Sequence, residues 1–129
     1  MATQELDARR VRAAKNQSLF REVNERIEDV RHNTGGIRTN ASLFEHVRQT
    51  ERIDFACECA NDACTEQVSM TVADYESIRA DPNRFFVLPG HNIVEVEEIV
   101  GEGDGFVVVS KLGAGESVAV QLDPRARRR

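Results

Sequence analysis

All three cysteines of this chain fall in one ten-residue stretch, FACECANDAC, Phe55 to Cys64. Strand alternation through IDFACEC puts Ile53, Phe55, Cys57 and Cys59 on one face and Asp54, Ala56 and Glu58 on the other. The following ANDA is turn-forming and folds Cys64 back towards the two thiols. A fold that accepts this stretch must therefore close a turn around three sulfurs. An odd cysteine count argues against a disulfide framework. A tetrahedral zinc needs one further ligand, and structural sites take Cys3His readily. His32 lies near the end of a long helical segment and His46 in the insertion after it. His91 follows Pro89-Gly90 at the end of the apolar run RFFVLPGH, where a turn can aim it at a neighbouring loop. Cys57, Cys59, Cys64 and His91 are thus the candidate zinc ligands. Two other readings stand beside zinc. The cysteines can be buried as small hydrophobes, or Cys64 can serve thiol redox chemistry from an exposed turn. An iron–sulfur cluster usually takes four cysteines and is disfavoured.

Zinc here reads as structural. A catalytic site keeps an open position beside an acid or base, and alternation turns Glu58 away from the thiols. The deaminase pattern of His-x-Glu with Pro-Cys-x-x-Cys is absent. There is no Gly-x4-Gly-Lys-Ser/Thr, and GEGDG lies between strands rather than opening a helix. EVEEIVGEGDG lacks the spacing of a calcium loop. Its Glu95 and Glu97 alternate with apolar residues and read as a solvated strand face.

Before the cysteines comes one long amphipathic helix, from about Gln4 to about Arg31. Leu6, Ala13, Phe20 and Ile27 recur at seven-residue intervals, and Phe20, Val23, Ile27 and Val30 form its strongest ridge. That ridge either docks on the domain's own sheet or meets a protein partner or second copy. A breaker segment with Gly35-Gly36 follows, then SLFEHVRQ, a short candidate helix with capping-box spacing at Ser42 and Glu45. After the cysteines, EQVSMTV reads as a strand, and Thr71 and Asp74 cap a helix, VADYESIRA, that places Val72, Tyr75, Ile78 and Arg79 along one side. RFFVLPGH, NIVEVEEIV, FVVVSKL and ESVAVQL read as further strands. The fold class is α+β: a long N-terminal helix followed by a small antiparallel sheet with one internal helix. Four regions result: the helix at 1–31, a loop with a short helix at 32–52, the α+β domain with its Cys/His cluster at 53–123, and a basic tail at 124–129.

At 129 residues and 14.5 kDa the chain fits one domain with appendages. No run approaches the roughly 20 apolar residues of a membrane span. No apolar stretch follows the first basic residues, so a secretory signal is not expected, and the expected compartment is the cytoplasm. Charge is uneven. Residues 1–50 carry nine basic and seven acidic side chains, residues 51–123 four and fifteen, and the tail four arginines. So acidic a body disfavours nucleic acid as a partner. A regulator binding it through Arg9, Arg10, Arg12, Lys15 and the tail remains the weaker alternative.

The stretches NQSLFREVNERIEDV, CECANDAC, TVADYESIRADPNRFFVLPGH, VEVEEIV, FVVVSKLG and DPR together resemble a group of small actinobacterial proteins. The resemblance covers most of the chain beyond its first dozen residues, although 31–52 is longer than the corresponding connection. It implies that the CEC…C and PGH segments belong to one signature, and it implies no reaction or ligand. The expectation is a non-catalytic, zinc-stabilised protein-interaction or regulatory module, with thiol redox chemistry as the enzymatic alternative.

Overall fold

The computed structural model describes residues 2–36, 51–61 and 63–128, with side chains at 4–29, 51–61 and 63–126. The candidate helix SLFEHVRQ, His46, and the side chains of Val30 and His32 lie outside the described residues. The elements are α1 (Ala2–Gly36), β1 (Arg52–Ala56), β2 (Gln67–Thr71), α2 (Val72–Arg79), β3 (Arg84–Val87), β4 (Glu97–Gly103), β5 (Phe106–Lys111), α3 (Ala114–Gln121) and a closing 3-10 turn, Pro124–Arg128. The fold is mixed α+β, as the sequence implies. It has two small antiparallel sheets: the hairpin β1-β2, and a three-stranded sheet in the order β3-β5-β4.

Both β1 and β2 alternate as half-buried strands should. Ile53 and Phe55 pair with Met70 and Val68, and all four point inward. The hairpin feeds directly into α2, whose first turn is capped by the Thr71 hydroxyl accepting the Asp74 N–H. Val72, Tyr75, Ile78 and Arg79 of α2 are all buried. Between the sheets lies an aromatic core in which the Phe55 and Tyr75 rings stack 4.4 Å apart, with Phe86 edge-on to both.

Beyond Ala56 the chain passes from one sheet to the other. Cys57 N–H still bonds to Glu66 O at 3.0 Å, which extends the β1-β2 ladder. One residue later Glu58 N–H bonds to Phe86 O of β3, also at 3.0 Å. The cysteine stretch is therefore the seam between the hairpin and the three-stranded sheet.

Three local expectations are corrected. The helix expected to end at about Arg31 runs on through the expected breaker to Gly36. ESVAVQL reads as a strand because Val118 and Val120 alternate, yet it forms α3. The deciding face is Gly115 and Ala119, both buried and one helical turn apart. A Cβ at Gly115 would stand 3.0 Å from the Arg10 carbonyl oxygen, so α3 rests almost on the α1 backbone. Tertiary packing of small residues overrides the weak strand preference of valine. In NIVEVEEIV, Ile93–Val96 coil into a turn, with Val96 and Glu97 N–H both bonding to Ile93 O. The strand begins only at Glu97, and a bulge between Ile99 and Gly101 breaks its alternation. The inferred faces are therefore wrong: Ile99 and Val100 are exposed, and Glu97 is buried.

The long helix docks through a polar stripe. Gln17, Ser18, Arg21, Asn24, Glu25 and Glu28 are buried beside Ala13 and Ala14. Leu19, 62% exposed, and Val23, 48% exposed, face outward. Phe20 and Ile27 are half-buried on the flank, where Ile27 touches the core. Three buried networks hold the stripe. Gln17 bonds both Lys111 Nζ and Glu97, and these two form an ion pair at 2.9 Å with neither side chain exposed. Arg21 lies 3.7 Å over the Phe85 ring, donates to Pro82 O and sits 3.9 Å from Glu58. Glu25 meets Tyr75, Arg79 and Arg125, and Asp123 completes the group through Arg79. Among the described residues no helix is long and apolar enough to cross a membrane.

Candidate metal centre

Three short pieces of chain build the site. Cys57 and Cys59 stand two apart on the extension of β1, so their side chains leave the same face, and both are buried. Cys64 returns through a turn closed by its N–H on Asn61 O at 3.0 Å. The Asn61 side chain supports that turn by accepting the Ala63 N–H at 3.0 Å. His91 comes from the far side of β3. Its N–H bonds to Leu88 O at 2.9 Å across Pro89-Gly90, and Gly90 has φ +89°. Proline then glycine at the two central positions, with positive φ at the second, is what a type II turn requires.

The four candidate ligand atoms lie within 4.8 Å of one another. His91 Nδ1 is 3.6 Å from Cys57 Sγ and 3.8 Å from Cys64 Sγ. A tetrahedral zinc with ordinary Zn–S and Zn–N lengths separates its ligand atoms by roughly 3.5–3.8 Å. The donor set suits a divalent metal of zinc's size, and the two His91–sulfur separations are already close to that spacing. Cys57 Sγ also accepts the Leu88 N–H at 3.3 Å, which stabilises charge on that sulfur.

Burial and the neighbouring sulfurs push the Cys57 thiol up, and burial likewise raises Cys59, against a hydrogen bond from Leu88 at the former. A cation at the centre supplies the compensating charge that thiolates need.

Glu58 lies on the opposite face, as alternation requires. Burial pushes its carboxyl up, opposed by Arg21, by Asn24 Nδ2 at 2.9 Å and by Phe86 N–H at 3.4 Å. Burial lowers Arg21 to about 10. Glu58 therefore belongs to the contact with α1 and does not reach the thiols. Sequence reasoning did not find these polar partners, because it followed the apolar ridge of the helix and left Gln17, Arg21 and Asn24 unassigned. Their i, i+4 and i+7 spacing was the available signal.

Fold and site define an α+β protein whose Cys3His cluster can hold a metal ion. In comparisons with known proteins, no family model, no curated protein and no solved structure matches the chain.

Proposed function

We propose that this is a small non-catalytic module whose Cys57, Cys59, Cys64 and His91 hold a structural zinc. The convergence of four ligand atoms within 4.8 Å carries the reading. The metal would join the seam to the turn after β3 and so fix the hairpin against the three-stranded sheet. The module would act by engaging a protein partner, in regulation, through the outer side of α1, where Leu19 and Val23 stay exposed. The CEC…C and PGH segments would then form the signature shared with the actinobacterial proteins the sequence resembles.

The test is metal content of protein purified without chelator, beside Cys59→Ser and His91→Ala. One zinc per chain is expected in the wild type and a loss in each variant. Each variant should also unfold at least roughly 10 °C lower, and a chelator should bring wild type and variants to the same temperature. Metal-free wild type that takes up no added Zn2+ would end the reading. So would a difference in unfolding temperature that survives chelation, since that is a packing effect.

A further inference from the structure

Between α1 and the segments around Ala60 and Ile93–Val96 lies a cleft of about 290 Å³. Its apolar wall is Ala60, Ile93 and Val96. Arg9, Arg12 and Asn16 line the other side from one face of α1, at i, i+3 and i+7. Both walls are tied to that helix. Asn16 Nδ2 donates to Ala60 O at 3.2 Å, and Arg10 Nε donates to Glu95 O at 2.9 Å. The cleft's shape therefore has support of its own, apart from the metal reading.

Its charges are unequal. Arg9 forms an ion pair with Glu95, which leaves the pair neutral. Arg12 has no acidic partner among the described residues. One unneutralised guanidinium thus faces an apolar wall, on a body where residues 51–123 carry fifteen acidic and four basic side chains. A local cation on an acidic surface selects for an anion, and one spare positive charge matches one negative charge. The guanidinium fork suits a planar carboxylate, which it can hold through two parallel hydrogen bonds. The volume suits a compact molecule rather than a polymer.

We propose that this cleft binds a small organic carboxylate, its charged group on Arg12 and its apolar body against Ala60, Ile93 and Val96. The probe is phenylacetate, titrated into the 15N-labelled full chain, with phenylacetamide and inorganic phosphate as comparisons. Saturable shifts are expected at the Ala60, Ile93 and Val96 amides. Binding should weaken about fivefold in Arg12→Gln and for phenylacetamide, and stay unchanged in Arg26→Gln. Arg12 is exposed, so its substitution should leave the remaining resonances in place. Shifts that never saturate, or equal binding by Arg12→Gln or by the amide, would overturn the proposal. Phosphate binding as tightly as phenylacetate would overturn the role of the apolar wall.

Discussion

Asn24 pairs with Ala56 in both directions: its Oδ1 accepts the Ala56 N–H at 2.7 Å, and its Nδ2 donates to the Ala56 carbonyl at 2.9 Å. One side-chain amide thus does for β1 what a neighbouring strand would do. Among the described residues β2 is the one strand that pairs with β1, so its other edge is closed by a helix side chain. The second Nδ2 hydrogen reaches Glu58 Oε2 at 2.9 Å. The long helix is therefore fastened to the cysteine-bearing strand by backbone-directed bonds rather than by grease.

It follows that Asn24→Ala should cost about 2–4 kcal/mol, because it strands two part-buried backbone groups and one buried carboxylate oxygen. Asn24→Asp should cost more, since it places an oxygen opposite the Ala56 carbonyl and Glu58. Urea midpoints at constant slope measure both. An aspartate variant as stable as wild type would show that the amide's direction does not matter.

Gly90 tests how the turn serves the site. A Cβ there would meet nothing within 4 Å, so Gly90→Ala creates no clash, but its φ of +89° strains any L side chain. That strain, about 1–2 kcal/mol, relaxes by rotating the turn that aims His91. The expected result is about tenfold weaker zinc affinity in chelator competition. Gly105→Ala is the control, with φ +88° and open space at the β4-β5 turn. It should lose stability without losing affinity. Equal affinity loss in the two variants would separate metal binding from the aim of His91.

The α2 cap and its buried face, β1, β2 and the LPGH turn were all legible in the sequence. Each is set by local chemistry: a threonine oxygen, strict alternation, proline followed by glycine. What the sequence hid depends on distant partners. Glu97 looks solvated until Lys111 and Gln17 are known to lie opposite it. Val118 and Val120 look like strand residues until Gly115 is placed on the Arg10 backbone. In α1 the hydrophobic pattern pointed to Phe20, Val23, Ile27 and Val30, whereas the buried stripe centres on Gln17, Arg21 and Asn24. Periodicity marks the apolar side of a helix, and here the docking side is polar. The four candidate ligands were legible because two loops suffice to bring them together.

The Lys111–Glu97 pair makes a separate prediction. Burial lowers the Lys111 ammonium from its ordinary range, and Glu97 opposes that shift. Removing one partner leaves a buried, uncompensated charge, so Lys111→Met or Glu97→Gln alone should cost about 3–5 kcal/mol. The double variant should cost less than the two losses added. Strict additivity in a double-mutant cycle would mean the two groups do not act on each other.

Glu28 sets a pH dependence of definite sign. Burial raises its carboxyl from 4.5 to about 8, and the Glu76 side chain adds to the shift. Glu25 also repels it, and Arg125, 3.9 Å away, opposes the rise. Between pH 4.5 and pH 8 the folded chain therefore holds a proton at Glu28 that the unfolded chain has released. Where the native state binds more protons, stability falls as pH rises. The Glu28 contribution is complete below pH 4.5 and lost on passing pH 8. Glu25 and Asp123 are shifted down instead, so their contributions fail only at acid pH, whereas Glu58, raised by burial, acts with the same sign as Glu28 in both proteins. Glu28→Gln keeps a neutral group in place, so its stability should fall less steeply than that of wild type, and it should be the more stable protein above pH 8. Urea midpoints of the two proteins across this range decide the matter, because their difference cancels the titrating groups that do not interact with Glu28. Parallel curves would show that Glu28 ionises in the folded chain as it does in the unfolded one.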